Sequence, residues 1–172
     1  MDTYLKEPEK NEGISKVLLA ALVIGTLLII TVIGLLLLNQ SPKEVQNQAL
    51  TGAFREGSPE FDLYTRRIVA QTLEDRTTQS PTGLGTIVMS IGGKVRNMTG
   101  KTLTGLEMKV SVVDMLGKVV RDKVFTVIPD VSQGVNELET NQMLDFQVSM
   151  EGFSKDDDRA NIRWKVTAIK VK

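Results

Sequence analysis

The sequence predicts a mainly β protein: an antiparallel β-sandwich of about seven short strands, preceded by a single transmembrane α-helix. Two observations carry this expectation. The stretch VLLAALVIGTLLIITVIGLLLL, Val17 to Leu38, holds twenty-two residues and no charge. From about Phe61 onward the apolar pattern has a period of two, broken at short spacing by turn formers, with no helical period between the strands.

The apolar run comes first in the chain. Twenty-two helical residues reach roughly 33 Å, against a bilayer core of roughly 30 Å. A cleaved signal peptide has an apolar region of only about 7–15 residues followed by a small-residue cleavage site. Here NQSPKEVQNQ follows, without an A-x-A pattern. The run therefore reads as an uncleaved anchor, with the lipid bilayer as the partner of residues 17–38. Ala21 and Gly25 form one small-xxx-small pair, which alone does not specify a helix dimer. Lys6, Lys10 and Lys16 precede the run, and Lys43 and Arg55 follow it. This excess favours a cytoplasmic N-terminus and an extracytoplasmic C-terminal domain at the cell membrane.

Around the anchor, residues 1–16 are polar, carry Pro8 and Gly13, and are expected to be a disordered tail. Residues 39–59, NQSPKEVQNQALTGAFREGSP, read as a tether, whose middle KEVQNQAL suits a short helix. Residues 60–172 make one domain of common size.

Composition narrows the chemistry. The chain has no Cys and no His, which removes disulfides, thiolate nucleophiles, the commonest general base and the commonest metal ligand. It carries 21 basic and 21 acidic residues, and 16 against 15 from Glu60 onward. No nucleic-acid footprint is present in that balance. No motif points to a cofactor, a metal or a catalytic set.

The strands follow in order. YTRRIVAQTLEDRTT suits a strand, and its residues also suit a helix. TIVMSIGGKVRN puts Ile87, Met89, Ile91 and Val95 on one face, before NMTGK turns the chain. LEMKVSVVD alternates Leu106, Met108, Val110 and Val112 against Glu107, Lys109 and Ser111, with Val113 out of phase. Gly117 supplies the next turn. KVVRDKVFTVI follows and stops at Pro129, which has no donor for a ladder. MLDFQVSMEG alternates Leu144, Phe146, Val148 and Met150. NIRWKVTAIKV aligns Ile162, Trp164, Val166 and Ala168, with Trp164 expected in the core. One apolar face per strand is what two packed sheets require.

The order GGKVRNMTGKTLTGLEMKVSVVDMLGKVV, a Pro, LETNQMLDFQVSMEG and a closing strand resembles the FxLYD-type domains of prokaryotic envelope proteins. Gly93, Val95 and Asn97 match the first element of that pattern, Asp114 and Gly117 the second, and Phe146 and Val148 the late strand. The signature itself departs, since Val110, Val112 and Val113 stand where the family has Phe, Leu and Tyr. ETNQ replaces the usual Pro-Gly turn. The resemblance covers residues 85–171. It implies an immunoglobulin-like sandwich outside the membrane, and no shared catalytic set.

Five features are candidate sites. Lys94 and Arg96 share the outer face of one strand, and Arg163 and Lys165 that of the last. Were those strands neighbours, the four would form a basic stripe able to meet lipid headgroups, an anionic polymer or a protein partner. KDDDR, Lys155 to Arg159, holds Asp156, Asp157 and Asp158, which suit a solvated hairpin loop better than a Ca²⁺ site. Asn97-Met98-Thr99 fits a glycosylation sequon and equally a turn. Asp114 precedes a turn, where Asp commonly binds backbone N–H groups. VRDKVFTVI is a candidate edge strand, guarded by Arg121, Asp122 and Lys123.

These features favour a single-pass, non-catalytic interaction or scaffold module that meets an envelope protein. Two other readings stay open: a carboxylate-dependent hydrolase acting on envelope polymers, and a cytoplasm-facing membrane tether.

Overall fold

The computed structural model describes residues 22, 24–26, 29, 46 and 48–172. The chain divides into two units, Met1–Ser41 and Pro42–Lys172. In the first, Leu22, Ile24, Gly25, Thr26 and Ile29 are helical. The tail, and the rest of the anchor expected at 17–38, lie outside the described residues. Among the described residues no helix is long and apolar enough to cross a membrane.

The second unit is mainly β. Its elements are β1 (Phe54–Arg55), α1 (Pro59–Thr65), β2 (Ile68–Pro81), β3 (Ile87–Asn97), β4 (Leu103–Val113), β5 (Val119–Ile128), β6 (Met143–Phe153) and β7 (Asn161–Val171). They form two sheets, ordered β1-β7-β4-β5 and β2-β3-β6. Every pairing is antiparallel.

Two elements differ from the sequence expectation. The helix α1 occupies the start of the segment where a period of two was expected. Ser58 caps it by accepting a hydrogen bond from the Phe61 N–H at 3.3 Å, Pro59 sits in its first turn, and Glu60 and Asp62 face its positive end. That is a helix-start signature within sequence reach. The second difference is β1, which pairs Phe54 and Arg55 with Ile169 and Ala168 inside the stretch expected to be tether. Leu50 is buried on the same unit.

The alternation in β3, β4 and β6 holds. Met89, Ile91, Val95, Leu106, Met108, Val110, Val112, Leu144, Phe146, Val148 and Met150 are all buried. Val113 is buried as well, because the β4–β5 register shifts between Val112 and Val113. A bulge lets two successive residues lean to one face. Two core clusters result, and Phe125 and Trp164 pack against both. The rings of Phe146 and Trp164 meet edge to face at 5.3 Å, and Phe125 lies 5.5 Å from Phe146. Trp164 Nε1 donates to Thr72 Oγ1 at 2.9 Å, which satisfies its polar tip.

The adjacent glycines of β3 are steric necessities. A Cβ on Gly93 would stand 2.4 Å from the Phe146 ring, and one on Gly92 would stand 2.6 Å from the Arg76 Cβ. Gly93 makes room inside for the aromatic cluster. Gly92 lets Arg76 cross the outer face to its ion pair with Asp145 at 3.1 Å.

Candidate interaction site

The basic stripe expected from the sequence does not form. Lys94 and Arg96 lie on β3, and Arg163 and Lys165 on β7, in different sheets. Outer faces of two packed sheets point in opposite directions, so the two pairs cannot merge. They are also largely engaged. Lys165 holds Glu56 at 2.8 Å, and Lys94 holds Asp145 at 3.6 Å. Arg163 donates to the Gly117 carbonyl at 3.4 Å. The hydrogen bond and charge of Lys165 keep the Glu56 carboxyl below its ordinary 4.5. Arg96 has no ion-pair partner among the described residues.

The acidic loop also resolves into separate contacts. Asp157 accepts from the Ser154 N–H at 2.7 Å, and Asp158 accepts from the Met115 N–H at 2.8 Å. Among the described residues no group of three acidic side chains is placed to hold a metal ion. Asp114 behaves as its position suggests and accepts from the Lys118 N–H at 2.8 Å. Asn97 is fully buried. Its Nδ2 donates to the carbonyls of Lys101 and Leu138, while its Oδ1 accepts from the N–H and hydroxyl of Thr99. The would-be glycan nitrogen is thus spent on the fold.

What the structure does bring together is a pair of open edges. β5 ends one sheet and β6 ends the other, on the same flank of the sandwich. No backbone ladder joins them among the described residues. Two side chains cross instead: Arg121 donates to the Gly152 carbonyl and Lys123 to the Ser149 carbonyl, each at 2.6 Å. Between the edges lies a trough of about 880 Å³, walled by Lys123 to Val127 on one side and Asp145 to Ser149 on the other. The expected edge strand is therefore an edge. The sequence did not show its facing partner, because strand order across two sheets leaves no trace in local periodicity.

One end of the trough is closed by the loop after β5. Asp130 organises it, accepting from the Ser132 N–H and hydroxyl and from the Gln133 side chain at 2.7 Å. Burial pushes the Asp130 carboxyl up, but these donors outweigh it and hold the group below its ordinary 3.8. Gln133 also donates to the Asp145 carbonyl at 2.8 Å, tying the loop to β6. The acids of the trough are thus committed to structure: Asp130 to its loop, Asp145 to Arg76 and Lys94.

No protein-family model and no curated protein matches the chain. Among solved structures, an X-ray structure of a Northeast Structural Genomics Consortium target aligns with a TM-score of 0.39 and 8% identity, over 63% of this chain and 86% of that one. The putative ApaA protein from Bordetella pertussis aligns with a TM-score of 0.29 and 6% identity, over 49% of this chain and 63% of that one. Neither likeness bears on what the trough holds.

Proposed function

We propose that this chain is a single-pass membrane protein whose β-sandwich, of the immunoglobulin-like FxLYD type, serves outside the membrane as a non-catalytic interaction module. The observation that carries the proposal is the pair of unpaired edges, β5 and β6, flanking an open trough. An extended segment of an envelope protein can add to such an edge by main-chain hydrogen bonds, with alternate side chains entering the trough. The uncharged run at 17–38 supports the anchor, and confinement to a membrane raises the local concentration for a membrane-bound partner. Supporting the family assignment are the structural duties of Gly93, Val95 and Asn97, all in the matched stretch.

Two measurements test this. The chain has no native Cys, so Leu116→Cys, at a 94% exposed loop position, gives a single thiol. A membrane-impermeant maleimide should label it in intact cells. Labelling only after lysis would place the domain in the cytoplasm and make the tether reading the better one. A photo-activatable residue at Val124 on β5 should then give a discrete cross-linked species in cells, and the same residue at Leu84 should not. Equal adducts at both positions, or none at Val124, would remove the edge as the docking site.

A further inference from the structure

The outer face of the three-stranded sheet carries a second surface, separate from the trough. Register sets Val69, Arg96 and Met143 in one row across β2, β3 and β6. Met98 follows in the turn beyond β3. Val69, Met98 and Met143 are 39%, 44% and 57% exposed, and together with Arg96 they rim a shallow depression of about 180 Å³. Cations surround them. Arg67 and Lys101 are exposed at this end: the Arg67 carbonyl accepts from the Met98 N–H at 2.9 Å, and the Lys101 carbonyl from Asn97 Nδ2 at 2.8 Å. The facing acids are Asp145 and Glu139. Asp145 is already shared by Lys94 and Arg76, so the face keeps an excess of positive charge.

The chain reaches the domain at this end of the sandwich, on the four-stranded sheet. Ala49 and Leu50 pack over Gly105, and Leu103, two residues away, exchanges backbone hydrogen bonds with Leu138. Asn97, at the end of β3, donates to that same Leu138 carbonyl. Leu50 lies only twelve positions beyond Leu38, a reach of at most about 40 Å.

We propose that this face docks on anionic lipid headgroups of the bilayer that holds residues 17–38. The proposal rests on the membrane-anchor reading, but not on which side of the membrane the domain lies. Arginines match phosphate oxygens bidentately, and methionine side chains adapt to an irregular apolar layer. Each basic residue close to an anionic surface multiplies occupancy by a factor of about five. The face is thus suited to a bilayer of negative charge and poorly suited to a neutral one.

The test uses the full chain reconstituted into vesicles of phosphatidylcholine, with or without phosphatidylglycerol. An environment-sensitive dye is placed at Met143→Cys, with Met98→Cys as a second reporter and Leu116→Cys as the reference on a distant loop. Expected is a blue shift at the first two positions with phosphatidylglycerol alone, reversed at about 1 M salt, where the screening length falls to about 3 Å. Arg67→Glu with Arg96→Glu should abolish the shift, while Trp164 fluorescence reports an intact sandwich. The same emission with and without phosphatidylglycerol, or an undiminished shift in the double variant, overturns the proposal. Failure of the anchor reading shows differently: the chain would then not float with neutral vesicles at all.

Discussion

Asn97 shows how much one side chain can decide. It satisfies two buried carbonyls and fixes Thr99, so the turn after β3 depends on its amide. Asn97→Ala removes both donations and leaves the buried Thr99 N–H without its acceptor, which should cost about 1–3 kcal/mol, measurable as a lowered urea midpoint. Asn97→Asp should be no better, because a carboxylate cannot donate to either carbonyl. Gly93 is the second such residue. Gly93→Ala drives a methyl into the Phe146 ring and should cost about 1–3 kcal/mol. If that clash is the cause, Phe146→Leu should recover part of the loss in a double-mutant cycle; strict additivity would refute it. The sequence displayed both residues within a recognisable pattern. It could not show that Gly93 serves a ring some fifty positions away, because a glycine in a strand looks alike whether it bulges, bends or yields space.

At the scale of elements, the edges of the sandwich need explaining. β5 holds three successive charges, Arg121, Asp122 and Lys123, within an otherwise mostly apolar strand, and an open apolar strand invites association. Arg121 and Lys123 oppose it in two ways. They bridge to β6 carbonyls, and they spoil self-pairing. In an antiparallel pair, opposed residues share a face, so symmetric registers centred on Arg121, Asp122 or Lys123 set like charges against each other. Replacing both cations, Arg121→Thr with Lys123→Thr, should leave the fold within about 1 kcal/mol and raise self-association. Sedimentation of the full chain in detergent would show this, and an unchanged distribution would refute the guarding role. The guard was legible from the sequence as charge within an apolar strand; the opposing β6 edge was not. The loop after β5 gives a pH test. The folded pKa of Asp130 is depressed, so its contribution is present above the ordinary 3.8 and is lost as pH falls through the folded value. Asp130→Asn should therefore lower the urea midpoint at pH 7, by an amount equivalent to about 1 kcal/mol. The gap between variant and parent should close as acidification protonates Asp130. A gap independent of pH would mean that the carboxylate charge is not what holds the loop.

For the whole molecule, the decisive matter is where the folded domain begins. Periodicity put the boundary at residue 60, because Pro42, Gly52, Gly57 and Pro59 punctuate the chain before it. Punctuation marks turns, and turns can lie on a surface as easily as in a free tether. Here they do the former. Leu50 is buried, Phe54 stacks at 6.1 Å from Tyr64, β1 extends the sheet beside β7, and Glu56 pairs with Lys165. Residues from Leu50 onward thus belong to the folded domain, which limits the span from Leu38 to at most about 40 Å, against roughly 60–70 Å had all of residues 39–59 been free. Under the proposed anchor, that shortening matters for a partner on the same membrane, since effective concentration depends on linker length. A fragment of residues 42–172 should therefore be more stable than one of residues 60–172. The shorter fragment loses the burial of Leu50, about 1.5–3 kcal/mol, and the Ser58 cap of α1, about 1 kcal/mol. Urea unfolding of the two fragments, compared at equal m-value, would measure the difference. Equal midpoints would mean that residues 50–58 contribute nothing to the fold, and the full tether length would again set how far the sandwich can search.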